Sequence, residues 1–197
     1  TEQSLSGGGR KMLERGRSGL DIASSIPGES ESIISELNRI LGEKNEGIFQ
    51  EANLDVKVWC SRASHDFGHL ATVEIIFSNE ISAHEIIEAW QNFSSETFDS
   101  RLPSSSQTIN FVDGKLDPIK HRWGDSVTAL PDKNLSAGMP VSVGEIEVSG
   151  KKLKFKLLSD NTIRGAAGYG VLLAELLLAE EIIQEKNLID MSFNRRN

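Results

Sequence analysis

Two stretches in the last third of the chain, 141–148 and 152–158, have the residue pattern of strands, and in the second Leu153, Phe155 and Leu157 stand at alternate positions. A period of two is typical of a β-strand that has one face against a core. The turn residues Ser149 and Gly150 separate the stretches, so two successive strands are predicted there. In the second stretch leucine and phenylalanine alternate with lysine, which predicts that one face of the sheet contacts water.

The same alternation occurs earlier in the chain, over 54–62 and 71–77. Val56, Val58 and Cys60 fall on one side of the first stretch. A short connection joins the two stretches, which predicts a paired antiparallel hairpin. Together with the predicted helices, these strands indicate a mixed α/β (α+β) fold whose open, mainly antiparallel sheet is covered by helices.

The predicted helices follow from apolar periodicity and from capping residues. A helix over 30–41 has its apolar residues on one face, and Gly42 stands where a left-handed C-cap would be. Ser82 and Glu85 form a capping box that opens a short second helix. A third helix, over 166–186, is apolar around most of its circumference, so it is predicted to be largely buried.

A long stretch over 92–140 separates these elements and holds four of the five prolines. Only one short strand, over 108–112, is predicted within it. Loops of this length are usually functional or cover another subunit.

Composition excludes several classes of function. A length of 197 residues suits a single domain. The net charge of −8, from 29 acidic and 21 basic residues, argues against a nucleic-acid partner. No apolar run reaches the roughly 18 residues that a membrane span needs. A single cysteine leaves no internal disulfide or cysteine-rich zinc site possible, and a cytoplasmic location fits best.

The first residues, TEQSLSGGG, are typical of the end of a strand that runs into a glycine-rich turn. The sequence starts at Thr1 with neither a methionine nor a signal-peptide pattern. We therefore expect the chain to be a piece of something longer.

Arg62 and His69 are the candidate functional pair that the residues themselves indicate. Alternation places Arg62 on the inward face at the end of a predicted strand, where an unpaired guanidinium is costly. It needs either a structural carboxylate or an anionic ligand. His69 begins the next predicted strand, and an imidazole beside an anion-binding arginine suits acid–base chemistry. Cys60 lies on the apolar face, where a cysteine usually behaves as a small hydrophobe.

Two further motifs leave alternatives open or argue against a site. His65 and His69 have the spacing of a helical metal-ligand pair, but Gly68 and the hairpin context argue against a helix, so no metal site is predicted. Near the C-terminus, either Asn161 or Thr162 could cap the last helix. The small residues that follow, 165–168, permit close helix packing or a ligand at the helix N-terminus.

Three segments together resemble the C-terminal domain of aspartate-semialdehyde dehydrogenase, in its archaeal and fungal branch. They are TEQSLSGGG at 1–9, CSRASHDFGH at 60–69, and the block from MPVSVGEIEV to LSDNTIRGAAGYGVLLAELLL at 139–178. The resemblance covers nearly the whole chain. It implies that residues 1–197 form a single domain like the C-terminal domain of glyceraldehyde-3-phosphate dehydrogenase. This domain would bind substrate and assemble the protein into a homodimer or homotetramer. The resemblance also implies that the N-terminal NADP-binding domain, with the catalytic cysteine, is absent, so the chain alone is expected to be inactive.

In this family a cysteine thiolate attacks aspartate semialdehyde, hydride passes to NADP, and phosphate releases aspartyl phosphate. The pathway runs in reverse during lysine, threonine and methionine synthesis. The resemblance implies that His69 is the general acid–base and that Arg62 binds the substrate carboxylate. It further implies that Glu29 binds the substrate amino group and that Gln3 orients the substrate. The implied contacts to NADP are Ser6, Gly7 and Asn161.

One departure from the family favours a rival enzyme. A lysine that binds phosphate usually follows three residues after the glutamate, and here that position is Ser32. Malonyl-CoA reductase of archaea shares the fold and uses CoA thioesters, and Arg122-Trp123-Gly124 is similar to a motif of that group. Against this alternative, Glu29 has little purpose without a substrate amino group. A third interpretation is a non-catalytic module that keeps only dimerisation.

Overall fold

The computed structural model describes residues 1–16, 23–125 and 134–183. Its helices are α1 (Gly9–Gly16), α2 (Glu29–Ile40), α3 (Ala83–Thr97) and α4 (Gly168–Ala179). Its strands are β1 (Glu2–Gln3), β2 (Glu43–Asn45), β3 (Ile48–Gln50), β4 (Ser61–Arg62), β5 (His69–Ile76), β6 (Ile109–Val112), β7 (Arg122–Asp125), β8 (Val141–Ser149) and β9 (Lys152–Ser159). Short 3₁₀ turns cover Leu5–Gly8 and Leu135–Gly138, and a π-helical turn, Ile163–Ala167, runs directly into α4.

In the described part of the chain, six strands form one sheet in the order β4-β1-β5-β9-β8-β6. The pairs β1–β5, β5–β9 and β8–β9 are antiparallel, and the pairs β1–β4 and β6–β8 are parallel. The predicted fold class, a mainly antiparallel sheet with helices, is therefore confirmed. The strands predicted around Ser149 and Gly150 are also confirmed, as β8 and β9, and the strand predicted over 108–112 is confirmed as β6.

The largest core lies where α3 covers one face of this sheet. Leu153 and Val143 are buried beneath it, and the Trp90 ring packs against Phe111 and Phe155 at centroid distances of 6.2 and 5.1 Å. The predicted capping box starts this helix, because the Ser82 side chain accepts from the Glu85 N–H while the Glu85 carboxylate accepts from the Ser82 N–H.

The predicted hairpin between 54–62 and 71–77 is wrong. Residues 51–60 form no strand, β4 is only two residues long, and β1 lies between β4 and β5. The alternation over 54–62 does predict burial correctly at the C-terminal end of that stretch, since Cys60 and Arg62 face inward while Trp59 is exposed. Local periodicity reports which side of a segment is covered, whereas a pairing partner some 60 residues away is set by tertiary contacts.

The helix predicted over 30–41 is confirmed as α2, but the predicted role of Gly42 is wrong. Left-handed backbone occurs at Gly28, just before the helix, and Gly42 is not left-handed. Gly42 is instead a point of close approach, because a Cβ there would stand 2.4 Å from the Gln50 carbonyl oxygen and 2.5 Å from the Phe49 ring.

The C-terminal helix begins as a π-helical turn and continues as α4 to Ala179; predicted helical residues 184–186 lie outside the described ranges. The prediction that this helix is largely buried is wrong, because Tyr169 and Val171 are about half exposed. A helix that is apolar on all sides is buried only if other protein packs against every side of it. The described residues pack against only part of the surface of α4.

The long segment over 92–140 is anchored to α4 of its own chain. The Ser104 N–H and Oγ donate to the Glu175 carboxylate at 2.9 and 2.7 Å, and Arg101 forms an ion pair with Glu180 at 2.8 Å. Cover of another subunit by this segment stays a prediction. None of the helices in the described ranges is long and apolar enough to cross a membrane.

Candidate active site

A cavity of about 580 Å³ opens at the edge of the sheet where β1, β4 and β5 meet. Five separate parts of the chain contribute to its wall: the N-terminal strand and turn, the start of α2, β4, β5 and the π-helical turn before α4. The residues that line it are Gln3, Ser6, Gly7, Glu29, Arg62, His69, Asn161, Thr162, Gly165, Ala166 and Ala167. All seven residues predicted to contact substrate or cofactor are thus brought together.

The central position of β1 explains how these residues meet. Gln3 pairs with Arg62 in the parallel ladder, and Glu2 pairs with Leu70 in the antiparallel one. The 3₁₀ turn that follows is fixed to the loop before β5, because the Leu5 N–H donates to the His65 carbonyl at 2.9 Å. Consequently the turn carrying Ser6 and Gly7 sits between the arginine and the histidine.

Arg62 lies at the base of the cavity and is only 9% exposed, so the prediction that it points inward is confirmed. Its Nη1 donates to the Ser4 carbonyl at 2.8 Å and to Gln3 Oε1 at 3.5 Å. Gln3 Nε2 in turn donates to Glu29 Oε1. One side-chain amide therefore connects a guanidinium to a carboxylate, and its two partners fix its orientation.

His69 faces the same space. Its Nδ1 accepts from the Ser4 N–H at 3.2 Å, and a Cβ built on Gly7 would lie 3.1 Å from its Nε2. Burial lowers the pKa of His69 below its ordinary value; a backbone hydrogen bond with Gly68 opposes this, and the Arg62 charge, a smaller effect than either, lowers the pKa further. The imidazole is thereby held neutral near pH 7.

Asn161 joins three parts of the wall through its side-chain amide. Its Oδ1 accepts from Ser4 Oγ at 3.1 Å, from Ser6 Oγ at 3.2 Å and from the Gly68 N–H at 3.0 Å, and its Nδ2 donates to Ser6 Oγ at 2.9 Å. Within the described part of the chain, the second N–H of Nδ2 has no partner. It is a donor available to a ligand.

Asp160, which was not among the predicted site residues, holds the turn that follows Asn161 in this wall. Its buried Oδ1 accepts from the Thr162 N–H, the Thr162 hydroxyl and the Ile163 N–H at 2.7–3.0 Å, so Asp160 caps the turn in place of Asn161 or Thr162. Its Oδ2 accepts from Trp123 Nε1 at 2.7 Å. Although burial opposes ionisation, these hydrogen bonds lower the pKa of the carboxyl. An Asp two residues before Thr162 is an Asx-type capping signal that could have indicated this role.

Cys60, His65 and Ser32 lie outside the cavity lining. Cys60 is buried, and its Sγ accepts from the Thr1 hydroxyl at 3.1 Å, as expected for a structural cysteine. His65 Nε2 donates to the Gly68 carbonyl at 2.7 Å, in a loop rather than a helix. Ser32 is exposed on the first turns of α2.

Curated relatives match almost the whole of this chain. It is 31% identical over 159 residues to aspartate-semialdehyde dehydrogenase of Archaeoglobus fulgidus, covering 80% of this chain and 43% of that protein. The crystal structure of aspartate semialdehyde dehydrogenase with NADP from Candida albicans aligns with a TM-score of 0.67 at 28% identity, covering 92% of this chain and 50% of that one. The chain is similar to the C-terminal half of the aspartate-semialdehyde dehydrogenases.

A second kind of enzyme belongs to the same set of relatives. Malonyl CoA reductase (NADP) of Metallosphaera sedula is 29% identical over 198 residues, covering 94% of this chain and 51% of that protein. The chain therefore spans about half the length of the curated relatives that it matches. No protein-family model matches it.

Proposed function

We propose that this chain is the substrate-binding half of an NADP-dependent aspartate-semialdehyde dehydrogenase, which interconverts aspartyl phosphate and aspartate semialdehyde. The observation that carries the proposal is the charge arrangement of the cavity. Among its described lining residues, Arg62 and Glu29 are the two that carry formal charges at pH 7, and Gln3 connects them. An α-amino acid presents a carboxylate and an ammonium group side by side, which complements such a pair.

Each of these residues has a part in holding the substrate. Arg62 would pair with the α-carboxylate, whose charge offsets the cost of burying a guanidinium. Glu29 would accept from the ammonium group, and Gln3 would orient both. A substrate held in this way would have its aldehyde end toward His69.

We propose that the nucleophile is a cysteine outside these 197 residues, because the buried Cys60 does not line the cavity. The thiolate sulfur would bond to the aldehyde carbon, and the carbonyl oxygen would become an oxyanion. After loss of hydride the carbon is a thioester, and a phosphate oxygen would displace the thiolate to give aspartyl phosphate. His69 would interact with the oxygen and sulfur on which negative charge develops.

We propose that the part of the wall around Asn161 holds the nicotinamide end of NADP. Asn161 offers one N–H donor, and beside it Ser6, Gly7 and Thr162 line the cavity. When bound, NADP supplies the ring that exchanges hydride with the substrate carbon. The role of this chain is to hold that end of the cofactor against the substrate and to exclude water from it.

The identity of the acyl acceptor, phosphate or CoA, distinguishes the dehydrogenase from a second candidate function. Ser32 is exposed where the family has a cationic lysine, and the malonyl-CoA reductase relative matches a similar share of the chain. A malonyl-CoA reductase-like enzyme would use a CoA thioester and would leave Glu29 without an ammonium partner. Glu29 is nevertheless held in the cavity by Gln3, which favours the amino-acid substrate.

The test is an assay of this chain fused behind the N-terminal half of the Archaeoglobus relative, with folding checked by circular dichroism. Aspartate semialdehyde and NADP are offered with either phosphate or CoA. Phosphate-dependent reduction of NADP, abolished by His69→Ala, supports the dehydrogenase. Turnover with CoA alone favours the reductase. A folded fusion that turns over with neither, and that does not oxidise NADPH with malonyl-CoA, contradicts both enzymes and favours a non-catalytic dimerisation module.

We also propose that the complete protein acts in lysine, threonine and methionine synthesis in the cytoplasm, as a homodimer or homotetramer with segment 92–140 at the subunit interface. The exposed apolar residues of α4 support association with further protein surface. Light scattering of the chain and of the fusion protein measures the subunit number directly. A monomer in both would contradict the assembly.

A further inference from the structure

One hydrogen bond to His69 involves a partner that can only donate. The main-chain N–H of Ser4 points at His69 Nδ1 across 3.2 Å. Ser4 is 0% exposed, so water does not take the place of His69 as the acceptor for its N–H. A backbone N–H left unpaired in a buried position is costly, which gives this contact a reason to persist.

The chemistry of the donor determines where the imidazole proton lies. A neutral imidazole has one protonated nitrogen and one acceptor nitrogen, and the hydrogen bond at one nitrogen decides the state of the other. Because Nδ1 accepts from the Ser4 N–H, the proton is on Nε2. That nitrogen faces the cavity beside Gly7 and Arg62.

The Ser4 hydroxyl offers the competing arrangement, since its Oγ also lies 3.2 Å from Nδ1 and could accept a proton from it. Two features oppose this arrangement. The Oγ proton has an acceptor in Asn161 Oδ1 at 3.1 Å, and a proton on Nδ1 would face the Ser4 N–H directly. The main-chain contact therefore selects one tautomer, and the hydroxyl completes the network with Asn161.

We infer that Ser4 is a positioning residue that holds His69 as the Nε2–H tautomer, so that His69 begins the reaction as a neutral hydrogen-bond donor facing the substrate. The chemical role rests on the proposed function, whereas the tautomer does not. In this form Nε2 has no lone pair with which to take a proton from a thiol. It donates instead to the thiolate or to the oxyanion that forms when the thiolate adds to the aldehyde carbon.

The charged and titratable groups around the ring agree with a neutral imidazole. Burial disfavours a second proton most strongly, and the charges of Arg62 and His65 add to that effect. A backbone hydrogen bond with Gly68 opposes burial, and the Glu29 carboxylate, which is engaged by Gln3, also favours the second proton. Protonating Nδ1 would also break the bond from the Ser4 N–H. The site thus resists forming the imidazolium in the resting protein.

Imidazole ¹⁵N–¹H correlation spectra of the 197-residue chain test the tautomer directly. His69 signals are assigned by their loss in His69→Gln, and Ser4→Ala and Ser4→Thr serve as matched variants that keep the main-chain N–H. We expect a protonated Nε2 and an unprotonated Nδ1 at pH 7 in wild type and in both variants. A proton on Nδ1 in wild type overturns the inference. A tautomer that changes only in Ser4→Ala overturns it too, because the hydroxyl would then be the controlling group.

The chemical role is tested in the active fusion protein by comparing His69→Gln with His69→Ala. A glutamine amide can donate a hydrogen bond but cannot act as a base at neutral pH. We expect His69→Gln to keep a kcat at least about ten-fold above that of His69→Ala. Equal loss in both variants contradicts the donor role while leaving the tautomer to the spectra. A wild-type fusion without activity contradicts the proposed function, and the spectra still decide the tautomer.

Discussion

At the scale of single residues, the site depends on a polar side chain between two charges. Gln3 accepts from Arg62 and donates to Glu29, so the opposite charges are held apart yet oriented toward one space. Direct contact would let them neutralise each other and would leave little reason for a zwitterionic ligand to bind. The amide keeps both charges available to a substrate.

Gly7 provides the most selective test of this residue-scale geometry. In Gly7→Ala the new Cβ would stand 2.9 Å from Arg62 Nη1 and 2.9 Å from His69 Cε1, so both groups must shift. Since sub-ångström misplacement of catalytic groups is costly, we expect kcat/KM of the active fusion protein to fall about ten-fold or more. Gly170→Ala, where a Cβ meets no atom within 4 Å, is the matched control. Equal kcat/KM in Gly7→Ala and the control would contradict the geometry.

The neutral imidazole of His69 has a consequence for stability against pH. Its folded pKa lies below the ordinary 6.5, so the unfolded chain takes up the proton first as pH falls. The contribution of His69 to the free energy of unfolding is therefore fully present above pH 6.5. It is lost as the pH falls from 6.5 through the lowered folded pKa. Urea unfolding of wild type and His69→Gln from about pH 8 to about pH 5 measures the difference. A wild type that gains stability relative to the variant on acidification would disagree with this sign.

At the scale of elements, the two-residue strand β1 determines the site. By pairing with β4 on one side and β5 on the other, it separates Arg62 from His69 and inserts the turn of Ser6 and Gly7 between them. A strand this short has little stability by itself. Its place is fixed by ladder hydrogen bonds on both edges, so distant parts of the chain determine the local geometry.

Asp160 is the element-scale group whose loss we expect to be most costly. In Asp160→Ala the cap of the π-helical turn disappears, and the Trp123 Nε1–H and the Thr162 and Ile163 N–H groups lose their acceptor. We expect a loss of about 2–4 kcal/mol in the free energy of unfolding. The exposed Asp55→Ala is the control, with a change within about 0.5 kcal/mol. Urea unfolding measures both, and similar losses in the two variants would rule out the capping role.

The sequence predicted elements well where the determining signals are local. The capping box of Ser82 and Glu85 and the two strand patterns on either side of Ser149 and Gly150 are set by residues close together in the chain, and both predictions were confirmed. The position of β1 between β4 and β5 was missed, because strand pairing across some 60 residues leaves no local pattern. The close approach at Gly42 was missed because a glycine after a helix is typical of a left-handed C-cap, and nothing in the local pattern shows that another backbone lies beside it. Its neighbour, the Gln50 carbonyl, belongs to the next hairpin.

At the scale of the whole molecule, the described residues leave a large apolar surface uncovered on α4 and α2. Ile40 is 76% exposed, and Tyr169 and Val171 are about half exposed. The chain spans about half the length of its curated relatives, and in the proposed function further protein covers part of this surface.

The family resemblance predicted all seven candidate site residues. Without the resemblance, burial and spacing selected only Arg62 and His69. Physical pattern gave no indication of Gln3 or Glu29, because short polar segments carry no periodicity.

The central claim is that Arg62 and Glu29 recognise a substrate with both a carboxylate and an ammonium group. The most direct measurement is the ratio of kcat/KM for aspartate semialdehyde to that for succinate semialdehyde, which lacks only the amino group, in the active fusion protein. We predict that wild type prefers aspartate semialdehyde and that Glu29→Gln lowers the ratio about ten-fold or more, chiefly through KM, since a charged hydrogen bond contributes about 1.5–3 kcal/mol. Arg62→Gln should weaken both substrates alike. A ratio that Glu29→Gln leaves unchanged would contradict the account.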